Sequence, residues 1–552
     1  MSNTSNLKRM IDGGRIHDAL ALCENKGSAP SADFLILHAR AARLAGHYDR
    51  TLELLAELTG YSDLDAEHIW QRDFEQACLL AQRGDFTRAR ALYTDLLARK
   101  PAHPRCLANL YRIALHVCDL ETQASLRSAL QAQSGDLTRP EDLAAAEAVY
   151  TFEQCDDAAK NLAVNRLRAQ RLDAVTVTIS PSRRPSRRPD RDKIRIGYLG
   201  EPFRNHARAH LLTGVLEHHD RDYFEVMAYC TGRNDRSAVR QRLEAAVDQF
   251  HDLEGITDQA LADRLHGDAL DILIATDGWN HMNRMAVLAG RPASVQISYL
   301  GHPSSCGADF IDYMIVDGVI APVGDEAQFS EQLIRLPDTY QATDDRQPQP
   351  ASADRADLRQ RNGLPVDKLV FASLNQPYKL NRQTLSLWFE ILQAVPDSVL
   401  WLLDGHPAAR QNLMRYASAG GVNPERLVFA SFAAKPEHIT RLTAADIALD
   451  PLIYNGHTTT MDALWAGVPV ISFYGSHMAS RVAASLLRAA DMPELVTSFT
   501  GDYRDLAIDL ARDPAQRQAL RERLISGRDR NSLFDTAGRT RALEAAYKNL
   551  VK

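Results

Sequence analysis

The chain has few cysteines, and no two of them stand close enough in sequence to act together. Seven are scattered through 552 residues, at 23, 78, 106, 118, 155, 230 and 306, and none forms a Cys-x-x-Cys spacing. That indicates neither a zinc site nor a disulfide framework, and a reducing cytoplasm is the expected compartment. No His-Glu-x-x-His motif occurs, and no Asp-x-Asp stands where a metal-dependent sugar-nucleotide site needs one. No apolar run is long enough to span a bilayer, and the start Met1-Ser2-Asn3-Thr4-Ser5-Asn6 lacks a basic-then-apolar signal pattern. The net charge of -7 gives no general pull toward nucleic acid. What remains is a globular composition, 45% hydrophobic and 24% charged, in a chain long enough for several domains.

Residues 1–172 are rich in Ala and Leu, with apolar positions at helical spacing. A turn signal recurs as Gly14-Arg15-Ile16-His17-Asp18, Gly46-His47-Tyr48-Asp49 and Gly84-Asp85-Phe86-Thr87, with Cys118-Asp119-Leu120 as a worn fourth copy. A helix-turn-helix unit repeating at about 34 residues resembles the tetratricopeptide family. Such repeats stack into a concave surface, which predicts a docked protein partner. The run Ser180-Pro181-Ser182-Arg183-Arg184-Pro185-Ser186-Arg187-Arg188-Pro189 marks a linker over 173–192. Its four arginines are read as a solvated loop rather than a nucleic-acid site.

From 193 onward short apolar runs alternate with helical segments. Lys193–Gly200, Phe224–Tyr229, Asp271–Thr276, Val295–Leu300 and Tyr313–Val316 fill a first half, 193–345. Leu369–Leu374, Val399–Leu403, Leu427–Ala430, Ile447–Leu449 and Val468–Phe473 fill a second, 346–552. The pattern predicts two parallel, doubly wound sheets facing a cleft, with ligands beyond the strands' carboxyl ends.

Four segments follow second-half strands. Asn375-Gln376-Pro377-Tyr378-Lys379 offers a point charge suited to a diphosphate. Ala433-Ala434-Lys435-Pro436-Glu437-His438 leads to Arg441. Asn455-Gly456-His457-Thr458-Thr459 turns into an amphipathic helix, whose free amides and dipole suit phosphate, and Asp462 lies one turn in, where it could hold sugar hydroxyls. Gly475-Ser476-His477-Met478-Ala479-Ser480-Arg481 is the fourth. In the first half, His206 and His210 are four apart on one predicted helix face. Without a carboxylate partner they are not read as a metal pair, and His206, nearer the strand end, is the one expected to face a substrate.

These residues resemble the O-GlcNAc transferase family, glycosyltransferase family 41. The likeness rests on Asn455-Gly456-His457-Thr458-Thr459 with Met461-Asp462 and Leu464-Trp465-Ala466-Gly467, and on Ala479-Ser480-Arg481. It extends to Asn375-Gln376 with Tyr378-Lys379, Lys435 with Glu437-His438, Asn205-His206 with His210, and Leu300-Gly301-His302-Pro303. The resemblance implies a GT-B fold of two Rossmann-like domains. It implies metal-independent inverting transfer from UDP-GlcNAc to Ser or Thr of a protein held by the repeats. Carried over, Lys379 is the catalytic cation and binds the diphosphate with His457, Thr458 and Thr459. Asp462 holds ribose, and Gln376, Ala433, Lys435, His438, Arg441 and Gly301 complete the donor site. His206 stands at the junction of acceptor and donor, as base or otherwise. No metal and no other cofactor is implied, and the insertion that separates the halves in human-type members is absent, as in bacterial ones.

Two stretches depart from the family: Gly278-Trp279-Asn280 and Ser304-Ser305-Cys306, both expected near the sugar. They leave open a flagellin glycosyltransferase with a CMP-linked nonulosonic-acid donor. A repeat adaptor with an inactive transferase domain is the reading from outside enzymology. The joint presence of Lys379, His457 and Asp462 argues against it.

Overall fold

The computed structural model describes residues 3–24, 30–61, 64–175, 185, 192–280 and 282–551. The arginine-rich break Ser180–Pro189 lies, Pro185 aside, outside the described residues. Helices pair as hairpins from the start: Asn3–Asp12 with Ile16–Glu24, Ala32–Leu44 with Tyr48–Leu58, Ala66–Gln82 with Phe86–Arg99, and Pro104–His116 with Leu120–Gln133. Asp85 and Asp119 cap their helices by accepting from the amides of Arg88 and Thr122. Each hairpin turns through a residue of positive φ: Gly14 at 74°, Gly46 at 82°, Gly84 at 80° and Cys118 at 51°. An L-residue pays about 1–2 kcal/mol for that backbone, and glycine does not. Cys118 holds it because the side chain is fully buried, with Sγ donating to Pro377 O at 3.5 Å. The worn fourth turn thus docks on the second half, next to Phe86 of the third, whose ring lies 5.1 Å from that of His406.

Two sheets follow. The first holds β1 (Ile194–Gly200), β2 (Phe224–Cys230), β3 (Gln249–Asp252), β4 (Ile272–Ala275), β5 (Val295–Ser298), β6 (Tyr313–Asp317) and β7 (Gln332–Leu336). The second holds β8 (Leu369–Ser373), β9 (Ser398–Leu403), β10 (Leu427–Ala430), β11 (Ile447–Leu449), β12 (Val470–Phe473) and β13 (Val496–Thr497). Their orders are β3-β2-β1-β4-β5-β6-β7 and β10-β9-β8-β11-β12-β13, and the paired strands run parallel. Helices cover both faces, so central strands such as β4 and β9 are buried at every position. This is the GT-B architecture behind a front of helical hairpins.

Each strand order reverses once, between β1 and β4 and between β8 and β11. Crevices open beyond the strand ends at such reversals. The last helix, Thr536–Leu550, crosses back to pack on Ala207–His218 of the first half. Glu544 anchors it there, accepting from Asp220 N at 2.7 Å and lying 3.0 Å from His219 Nδ1.

Candidate functional site

The second-half crevice is built from the segments that follow β8 and β11. After β8 a single 3-10 turn, Pro377–Lys379, ends on Lys379, whose side chain is only 9% exposed. Lys379 Nζ donates to Asn455 O at 2.7 Å and stands 3.8 Å above the Tyr454 ring. Burial pulls its ammonium below the ordinary lysine range, and Asp450 and Glu153 pull it back up. Asp450 ends the β11 segment fully buried, accepting from Gly456 N at 2.5 Å and Ser472 Oγ at 2.7 Å. Burial raises its carboxyl above the usual range, against those bonds and Lys379. Nothing in the sequence reading singled out Asp450, although an acid closing a buried strand at a reversal point is a legible signal.

The helix Thr458–Trp465 starts beside this pair. Its N-cap, His457, makes no side-chain capping bond. The threonines do not cap it either: Thr459 Oγ1 donates to Asn375 Oδ1 at 2.8 Å, which ties the β8 loop to the helix start. Uncapped amides at a helix N-terminus suit an anion. Burial holds His457 neutral, and Lys379 reinforces this.

One turn in, Asp462 is buried and accepts from Lys435 Nζ, with His438 Nε2 3.7 Å from its other oxygen. His438 Nδ1 faces Arg441 Nη2 at 3.2 Å, and Arg441 Nη1 donates to Ser431 O at 2.5 Å. Burial lowers His438 to about 4, so it meets a ligand as a neutral ring. Lys435, His438, Arg441 and Asp462 therefore form one connected cluster. Ala433 is half-buried in the stretch before the Lys435–Leu442 helix. Gln376 is half-buried beside Lys379, and its side chain makes no hydrogen bond among the described residues.

The first half faces this cluster with its own reversal point. His206 caps Ala207–His218, its Nδ1 accepting from Arg208 N at 3.2 Å. Burial and the neighbouring arginines lower it to about 4. A neutral ring accepting at Nδ1 carries its proton on Nε2, so His206 offers a donor there and not a lone pair. His210 bonds Asn205 through Nε2 at 2.9 Å and feels Lys435 and Asp462 across the cleft. Gly301 follows β5, where a Cβ would come within 1.6 Å of Thr276 O and 2.8 Å of Arg208 Nη1. Only a glycine admits the Arg208 contacts to Thr276 O and Asp277.

The model for Glycosyl transferase family 41 matches residues 165–356 and 349–543. The chain belongs to glycosyltransferase family 41. A relative named probable UDP-N-acetylglucosamine–peptide N-acetylglucosaminyltransferase SEC, from Arabidopsis thaliana, is 37% identical over 358 residues, 64% of this chain and 37% of that protein. The UDP-N-acetylglucosamine–peptide N-acetylglucosaminyltransferase of Caenorhabditis elegans is 28% identical over 452 residues, 62% of this chain and 39% of its own length. The chain therefore spans under two-fifths of these curated relatives. A solved structure of a mutant Thermobaculum terrenum O-GlcNAc transferase superposes with a TM-score of 0.76 at 28% identity, covering 94% of this chain and 97% of that one.

In this family 41 chain the stretches set apart in sequence have packing roles. Ser304, Ser305 and Cys306 are buried, with Ser305 Oγ and Cys306 N each 2.6 Å from Glu331. Trp279 Nε1 donates to Cys306 O at 2.7 Å, and Asn280 Nδ2 to Gly301 O at 2.6 Å. Gly475–Arg481 belongs to the seam with the helical front: Asp156 Oδ1 lies 2.8 Å from His477 Nδ1 and accepts from Ser476 N at 3.1 Å. Nine residues on, Asn165 Nδ2 donates to Ser305 O at 2.7 Å and lies 3.3 Å from His302 Nε2. Phe152 stands edge-on to both His302 and Tyr454, at 5.1 and 5.2 Å between ring centroids. A cavity of about 940 Å³ opens between the front and the first half, lined by Arg105, Glu153, Arg168, Trp279 and His302 among others. Among the described residues no group of three or more His, Cys, Asp or Glu is placed to hold a metal, and no helix is long and apolar enough to cross a membrane.

Proposed function

We propose that the chain transfers a sugar, GlcNAc from UDP-GlcNAc, to Ser or Thr hydroxyls of a protein docked by the helical front, with inversion and without a metal. The observation that carries this reading is the placement of Lys379 Nζ beside Asn455 O, directly before the uncapped helix start at His457. A leaving diphosphate needs fixed positive charge and oriented amides, and this site offers both. Asp462, with Lys435 and His438 around it, suits the ribose and base of a uridine nucleotide.

In the proposed step the acceptor oxygen forms a bond to the anomeric carbon as the bond from that carbon to the diphosphate breaks. The electron pair leaves on UDP, which Lys379 and the helix start hold. The hydroxyl proton passes to a donor phosphate oxygen, because His206 already carries a proton on Nε2 and serves as a hydrogen-bond donor. Calorimetry with UDP and CMP tests the nucleotide, and mass spectrometry of a co-expressed acceptor tests the sugar. UDP binding with GlcNAc on Ser or Thr is the expected result. Tight CMP binding with none for UDP refutes it and favours a nonulosonic-acid donor, and failure to bind either nucleotide favours the adaptor.

A further inference from the structure

The cavity between the helical front and the first half carries an unbalanced patch of positive charge. Asp12 Oδ1 accepts from Arg40 Nη2 at 2.9 Å and lies 3.5 Å from Arg171 Nη2. Arg43 Nε binds Glu75 at 2.7 Å. Arg105 lines the same wall and makes no hydrogen bond or ion pair among the described residues. On this wall four guanidinium groups thus share two carboxylates, both already engaged, while Glu147 and Asp258 elsewhere in the lining pair with Arg168 and Arg284, and Glu153 lies toward Arg112 and Arg168. Burial and the neighbouring Arg40 and Arg171 push the Arg105 guanidinium down from its ordinary value. Asp12 and Glu75 pull it back up without pairing with it, so the cation in that position has no anion in direct contact. The cavity extends to Trp279 and His302 of the first half, so a segment lying on Arg105 continues toward the cleft.

We propose that this patch binds an Asp or Glu side chain of the acceptor, at a distance from the hydroxyl that is modified. The acceptor class is then a protein segment with acidic residues flanking its Ser or Thr. This rests on the transferase reading for its purpose, but the binding itself does not. The net charge of -7 repels acidic peptides in general, so a preference for them has to come from a local site.

The test measures fluorescence anisotropy of the full chain with three labelled Ser/Ala peptides that carry Asp, Gln or Lys at the same alternate positions. Inorganic phosphate serves as the free-anion probe. The Asp peptide is expected to bind roughly tenfold tighter than the Gln peptide. Arg105→Gln should abolish that preference, Arg105→Lys should keep most of it, and Arg105→Glu should shift it to the Lys peptide. An Asp preference that is absent from the parent, or that survives Arg105→Gln, overturns the proposal. Arg105-dependent phosphate binding without a peptide preference also overturns it, in favour of a small-anion site. UDP calorimetry on the same samples separates the two readings. Lost UDP binding in the parent sinks the transferase assignment alone, and unchanged UDP binding in Arg105→Gln shows that the variant is folded.

Discussion

Replacing Lys379 with methionine separates its proposed role in turnover from its role in the fold. The substitution keeps the length of the side chain and removes its charge. In the fold, Asn455 O loses the donor that sits 2.7 Å away, and a buried carbonyl left unpaired costs about 1–3 kcal/mol. Asp450 loses its cation but keeps the bonds from Gly456 N and Ser472 Oγ. Burial already raises its carboxyl, so it takes up a proton instead of remaining an unpaired charge. The stability loss should therefore stay small for a chain of this size. In turnover, a charge-assisted contact to a departing diphosphate is worth roughly 3–4 kcal/mol, which predicts a loss of about 10²–10³ in kcat. The assay is donor turnover at saturating UDP-GlcNAc, with Tm and UDP affinity measured on the same samples. The double variant Lys379→Met/Asp450→Asn removes both charges and should match the single variant in Tm and in kcat, since Asn455 O stays unpaired in both. Near-parental kcat in the single variant, or recovered kcat in the double, refutes the reasoning and leaves Lys379 as a counter-ion for Asp450.

Stability should fall as pH drops from neutral toward 5. Burial holds His302 at about 3 against an ordinary 6.5, so the unfolded chain binds a proton that the folded chain refuses, and at pH 5 this costs about 2 kcal/mol. His302→Gln should make Tm fall less steeply between pH 7 and 5, with the lowered His206 and His438 supplying the slope that remains, and an unchanged slope would discard His302 as a cause. Gly301→Ala places a Cβ against Thr276 O, so it should cost about 1–3 kcal/mol and lower donor affinity; a Tm and UDP affinity matching the parent would contradict that packing. Chelator should leave turnover unchanged, and activity that returns only with added Mn²⁺ or Mg²⁺ would reject the metal-independent step.

Central strands were legible because burial on both faces makes them continuous apolar runs, as in Val399–Leu403. Three edge strands were not. β3 is polar and partly exposed, the apolar residues of β7 are broken by Arg335 and mostly half-buried, and β13 has two residues, so none leaves a continuous apolar run. The segments around Lys379, His438 and His457 were readable singly, each by its place after a strand. Asp450 and Asn375 were harder to read, since their roles are bonds made across 6 and 84 residues of chain. The Asn165 and Asp156 contacts span 140 and 320 residues, a pairing that composition and periodicity do not encode. Ser304–Cys306, expected near the sugar, has a partner just as hard to read: Glu331 bonds Ser305 Oγ and Cys306 N from 26 and 25 residues away in the chain.

The short stretch from Asp156 to Asn165 grips both sides of the cleft, the second half through Ser476 and His477 and the first through Ser305 and His302. Mechanically it is a cross-brace. A pair of Rossmann domains joined only by a hinge can gape to release a product, but here widening the gap stretches the brace and breaks its bonds. The helical front therefore sets the width of the jaw as well as bordering it. If the proposed transfer holds, a protein pulling on that front would change how fast nucleotide escapes, and the rate of nucleotide release would become a property of what is docked some distance from it.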